Sequence, residues 1–218
     1  GSKEFLILTY TPKDGMVTNT SINNLLSLKY KIQSLEWVHN VVTLLDVPLL
    51  NNSEAPLQER LENFKTLKDE DVDKERGFKE IISSPVFRNF VISEDGKTSG
   101  IIVYLKKNMP LDDIENKSKK EIENYRDQIK KQNHNNILEI REVINSYNEV
   151  GKIHLGGIPM IADDMMTFIK SDIIVFGLGV LLFIIATLWY VFRKLILILV
   201  PISSCFFSVL IMTGLLGL

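Results

Sequence analysis

The chain has 218 residues, 45% of them hydrophobic and 24% charged, with a formal net charge of -2. The charge is unevenly placed: 23 of the 25 Lys+Arg and all 27 Asp+Glu precede Ile173, which leaves that part at -4 and the remainder with only Arg193 and Lys194. A mildly acidic polar part lacks the basic balance that nucleic-acid binding requires, and the single cysteine, Cys205, excludes an intrachain disulfide.

From the N-terminus, Gly1-Ser2 reads as a cloning remnant and no signal peptide is visible. Phe5 to Tyr10 is a short apolar run bounded by the turn-rich Thr11-Pro12-Lys13-Asp14-Gly15, which predicts a buried strand. Thr20 or Ser21 is expected to cap a helix whose apolar residues Ile22, Leu25, Leu26, Ile32 and Leu35 recur at helical spacing. Val38 to Leu45 is β-branched and apolar and reads as a second strand, completing a βαβ unit. The highly charged stretch 51–84 carries Leu57, Leu61, Phe64 and Leu67 at spacings of four and three, as a helical insertion on the domain surface would.

Val86 to Ile92 and Thr98 to Leu105 flank Glu94-Asp95-Gly96-Lys97, whose Asp-Gly pair predicts a hairpin. Beyond Pro110, with Asp112 or Asp113 as cap, Ile122, Tyr125 and Ile129 form one helical stripe. Ile137, Ile140, Val143 or Ile144 and Tyr147 form another, with a break expected at Gln132-Asn-His-Asn-Asn136. Gly151 is expected to end this helix, and Ile153 to Leu155 to form a last strand. The order βαβ, ββ, α, β predicts an α+β domain, residues 1–158, of ferredoxin-like architecture with a helical insertion and one additional strand.

The rest, residues 159–218, reads as membrane. Twenty uncharged residues run from Ile173 to Phe192, and a second uncharged run goes from Leu195 to Leu218; twenty helical residues at ~1.5 Å each span ~30 Å, the thickness of a bilayer core. Ile161, Met165, Phe168 and Ile169 share a face and lead into the first span with no breaker, so one helix from about Asp163 to Phe192 is expected. Lys170 and Asp172 would lie near one interface, and Trp189 and Tyr190 near the other. Arg193-Lys194 makes a tight, positively charged hairpin that favours the cytoplasmic side, placing residues 1–172 outside the cytoplasm. The chain stops in Gly-Leu-Leu-Gly-Leu218 with no polar flank, and both ends read as cuts in a larger membrane protein.

No catalytic constellation is visible, nor a phosphate loop, nucleophile elbow or dinucleotide fingerprint; no enzyme activity and no cofactor are expected. His39, His134 and His154 fall on different predicted elements with no Cys or Glu at ligand spacing, so no metal site is expected. Asp163-Asp164 is read as a helix cap in preference to an ion-coupling pair. Gly156-Gly157 reads as a hinge between strand and membrane helix; with Pro159, Asp163 and Asp164 it forms the candidate hinge and lever. Gly177, Gly179, Gly214 and Gly217 are candidates for close helix packing. Neither span holds an ionisable residue, so no proton or ion relay can lie in the hydrocarbon region of this chain.

An α+β domain ending in His154-Leu-Gly-Gly-Ile-Pro-Met160, then Asp163-Asp-Met, Phe168-Ile-Lys-Ser-Asp172 and a hairpin through Phe192-Arg-Lys194, resembles the resistance-nodulation-division superfamily. The likeness is closest to its exporters of the hydrophobe/amphiphile efflux-3 and mycobacterial lipid-exporter (MMPL) type. Val91-Ile-Ser-Glu-Asp-Gly-Lys-Thr98 with the Ile101-Ile-Val-Tyr-Leu105 strand is similar to that family's porter domain. The resemblance implies a multi-pass inner-membrane transporter of hydrophobic or amphiphilic molecules such as lipids, driven by an ion gradient. This chain would be the first outer porter domain with transmembrane helices two and three. Its partners would be the lipid substrates, the membrane, and the remaining helices and second porter domain of the same protein, with homo-oligomer formation left open. A sterol- or lipid-sensing receptor on the same scaffold is the alternative. A two-span signalling receptor is disfavoured, because the first span meets a second after two residues instead of a charged linker helix.

Overall fold

Alternation of apolar and polar residues places the sheet. In the strand β1 (Phe5–Pro12), Leu6, Leu8 and Tyr10 point to one side and are buried, while Phe5 and Ile7 point to the other and are about two-fifths exposed. The computed structural model describes residues 4–50, 64–106, 118–193 and 195–216. The chain divides into two compact units, Gly1–Asp164 and Met165–Leu218.

In the first unit β1 is followed by the helix α1 (Asn19–Gln33), β2 (Val38–Val42) and a 3-10 turn at Leu44–Asp46. Next come α2 (Lys74–Ser83), β3 (Ser99–Leu105), α3 (Lys119–Asn145) and β4 (Gly151–Gly156). The four strands form one antiparallel sheet in the order β2-β3-β1-β4. Register pairs Leu6 with Val103 and Leu8 with Ile101, so the buried residues of β1 and β3 share a face. Onto that face α1 brings Leu25, Leu28 and Ile32, and α3 brings Ile137, Ile140, Val143 and Ile144. Each helix contributes at spacings of three and four, the period that keeps one stripe inward.

Several expectations are corrected. The cap of α1 is Thr18, whose hydroxyl accepts from the Ser21 N–H, in place of Thr20 or Ser21. The second strand stops at Val42, because Thr43 and Asp46 close a capping box around the 3-10 turn. Val86–Ile92 is not a strand but a compact loop: the Val91 N–H turns back to the Phe87 carbonyl and Asn89 takes a φ of +64°. It meets β3 through the bridge Ile92–Ser99 and the Gly100 N–H donating to the Val91 carbonyl, without forming a strand, so among the described residues the sheet has four strands and no additional one. Around Phe64 and Leu67 the chain is not helical, and Leu67 is fully buried rather than on a surface stripe. The helix of that region is α2, capped by Asp73. Leu57, Leu61, Pro110, Asp112, Asp113, Lys194 and Gly217 lie outside the described residues.

The α3 helix runs unbroken through Gln132–Asn136 from a capping box at Ser118 and Glu121. Its C-cap is Ser146, so Gly151 opens β4 instead of ending the helix.

The second unit is built from two helices. α4 (Ile158–Phe192) begins in the first unit, and α5 spans Leu195–Leu216. The stretch Ile158–Val191 is long and apolar enough to cross a membrane. Between α4 and α5, Arg193 takes a φ of +49° and donates its N–H to the Trp189 carbonyl, a left-handed helix end. A Cβ added at Gly177, Gly179 or Gly214 would meet nothing within 4 Å among the described residues.

Candidate functional site

The site grows from the junction of β4 and α4. β4 stays paired with β1 through Gly156, which lies opposite Ile7, and α4 starts at Ile158. One residue, Gly157, makes the whole turn. Its φ is +124°, and a Cβ there would come within 3.1 Å of the Leu6 Cα and the Phe5 carbonyl. Only glycine combines that backbone angle with that proximity. The Gly157 carbonyl accepts from the Ile161 N–H at 3.0 Å and so begins the helix ladder. Pro159 falls in the first turn, where a missing N–H costs nothing.

The first two turns of α4 are gripped by α3. Asn133 donates its side-chain amide to the Pro159 carbonyl at 3.0 Å. His134 Nδ1 lies 3.0 Å from both carboxylate oxygens of Asp163. Arg141 Nη2 lies 2.9 Å from both carboxylate oxygens of Asp164. The Asp163 side chain is only 11% exposed, whereas Asp164 and Arg141 are 37% and 42% exposed. The helix starts five residues before Asp163, so the two carboxylates do not cap it; each meets a side chain of α3 instead. The residue pairing was not legible because the partners are 29 and 23 residues away, with no local spacing rule to link them. The one sequence signal was the polar run Gln132–Asn136, which marks an unusually polar patch on an otherwise amphipathic helix.

Of the three histidines, His39 lies on β2, His134 on α3 and His154 on β4. No group of three or more His, Cys, Asp or Glu converges as metal ligands would among the described residues. Beside the grip, an open cleft of about 430 Å³ is lined by Glu4, Glu36, Trp37, Lys106, Asn133 and Glu139, among others. The Trp37 indole N–H donates to Glu139 at 2.6 Å, which fastens α3 to the start of β2.

An α+β unit whose last strand turns through one glycine into a bilayer-length apolar helix defines a domain joined directly to a membrane segment. The MMPL family model matches residues 55–218, three quarters of the chain, and the chain belongs to that family. MMPL proteins are membrane transporters of the resistance-nodulation-division type acting on lipid-like substrates. The match runs from the charged segment through α2, β3, α3, β4 and both long helices. No curated protein matches the chain.

Proposed function

We propose that the chain is the outer domain and two membrane helices of a secondary transporter that exports hydrophobic or amphiphilic molecules, lipids among them, using an ion gradient. One observation carries the reading: a single helix, Ile158–Phe192, starts against α3 of the α+β unit and continues as the apolar stretch. A helix anchored at one end in a folded domain and dissolved at the other in lipid is suited to act as a lever. In this reading Asp163 and Asp164 are its anchor points, and Gly156, Gly157 and Pro159 form the fixed bend that leads into it.

The strand order β2-β3-β1-β4, with α1 and α3 as the crossovers, supports a ferredoxin-like porter domain. α5, twenty-two residues with no charge, is a second span of the same hairpin. Arg193 and Lys194 then face the cytoplasm and residues 1–172 lie outside it, in a cell membrane crossed several times. The spans hold no Asp, Glu, Lys, Arg or His, so the ion relay is assigned to no residue of this chain. It would belong to other helices of the protein, which with a second porter domain are the natural partners of these two.

The topology is tested by labelling intact cells with a membrane-impermeant thiol reagent in a Cys205→Ser background. Cysteine at Glu94 should react and cysteine at Arg193 should stay shielded; the reverse pattern would sink the orientation. Export is tested with the full-length protein in proteoliposomes holding a fluorescent phospholipid. Movement should appear with an imposed proton gradient and stop with an ionophore, and gradient-independent or absent movement rejects the transporter reading.

A further inference from the structure

We infer that Asn133, His134 and Arg141 of α3 are coupling residues that make the first two turns of α4 move with the α+β unit, with no slack at Gly156-Gly157. The inference deepens the lever reading above and rests on it for its functional meaning.

The geometry supports it from both sides of the junction. On the strand side there is no slack, because Gly156 is held in the sheet and Gly157 is confined by the backbone of Phe5 and Leu6. On the helix side the grip spans two turns. His134 and Arg141 are seven residues apart on α3 and therefore share a face. Pro159 and Asp163 are four apart on α4 and face α3 together. Two of the three contacts are carboxylates meeting a nitrogen donor, the charge-assisted kind when the donor is cationic, as Arg141 always is. Asp163 is nearly buried, so removing its partner strands a carboxylate with little water to take over. The exposed Arg141–Asp164 pair adds little net stability; what it adds is direction, two oxygens held against one guanidinium nitrogen.

The test is hydrogen–deuterium exchange on the full-length protein in lipid nanodiscs. The His134→Ala/Arg141→Ala variant should raise exchange at the Ile161–Met165 amides about tenfold while β1 amides keep their wild-type rates. With His134 in place, Arg141→Asp alone should also raise it, and adding Asp164→Arg should bring it back to within about threefold of wild type. Unchanged exchange at 161–165 overturns the inference. So does acceleration spread equally through the sheet, which would make these residues general supports of the fold, and so does failure of the charge swap to restore protection. Lipid movement by the wild-type protein is read separately: if there is none, the transporter reading falls, and the exchange pattern still decides the coupling.

Discussion

Gly157 and Gly177 carry the same residue into opposite circumstances. At Gly157 a methyl group meets backbone at 3.1 Å and the φ of +124° is closed to other residues; at Gly177 nothing lies within 4 Å. Gly157→Ala should therefore cost about 1–3 kcal/mol through backbone strain and crowding. Gly177→Ala, in a helix interior, should be neutral or stabilising by up to about 1 kcal/mol. Thermal unfolding of the detergent-solubilised protein compares the two directly, and equal losses would contradict the account of the junction. Asp46 gives a second residue-scale expectation. Burial pushes its carboxyl up, but the ammonium groups of Lys29 at 2.5 Å and Lys68 at 2.8 Å, with the Thr43 N–H, outweigh burial and hold it below the ordinary carboxylate range. A carboxyl lowered in the folded state lends stability above its unfolded value, near 3.9, and loses it as pH falls through the folded one. Asp46→Asn should thus be less stable than wild type at pH 7, since it leaves Lys29 buried beside a neutral group. The gap should narrow as pH drops below about 4, which urea unfolding at pH 7 and pH 3 would reveal.

Among the elements, those with a clean period were readable from the residues, and those settled by distant partners were not. β1 alternates, α1 repeats at three and four, and both occur where the pattern places them. The cap of α1 was expected at Thr20 or Ser21, and Thr18, two residues earlier and equally competent, takes it. Thr18 is chosen by contacts on both sides: its hydroxyl accepts from the Ser21 N–H and has the Ser21 hydroxyl at 2.8 Å and the Gly15 carbonyl at 3.3 Å as alternative acceptors for its one proton. Val86–Ile92 has strand composition but follows Ser84-Pro85, and its amides are satisfied locally by the turn at Phe87. β-Propensity there yields to a loop because composition is only a weak prior. The polar run in α3 reads locally as a break, yet Asn133 and His134 spend their polar groups on Pro159 and Asp163. Tertiary partners thus turn an apparent interruption into the helix's working face. Gly156, Gly157, Pro159, Asp163 and Asp164 stand close together in the sequence; the partners of the two carboxylates on α3 were not legible there, and the capping role expected of them is not what they do.

At the scale of the molecule, the abrupt end of charge at Asp172 was the strongest feature of the sequence, and it needed no fold to be seen. Large side chains along α4 confirm its need for cover: Phe176 and Phe183 are 70% and 71% exposed within the chain. A surface of that kind calls for hydrocarbon or for further protein. Family membership agrees with a membrane setting and with lipid-like cargo.

The one-residue link at Gly157 has a further meaning, an angular one. A helix advances about 100° per residue, so a connection this short sets the azimuth of the side chains from Ile158 to Asp164 against the edge of the sheet. Longer loops would let that azimuth drift. A single alanine inserted between Gly157 and Ile158 should swing Asp163 and Asp164 by about 100°, away from His134 and Arg141. The melting temperature should fall measurably, and an unchanged value would mean that the junction tolerates rotation. In this protein, then, β4 acts as an index mark from which the rotation of the first two turns of the long helix is counted.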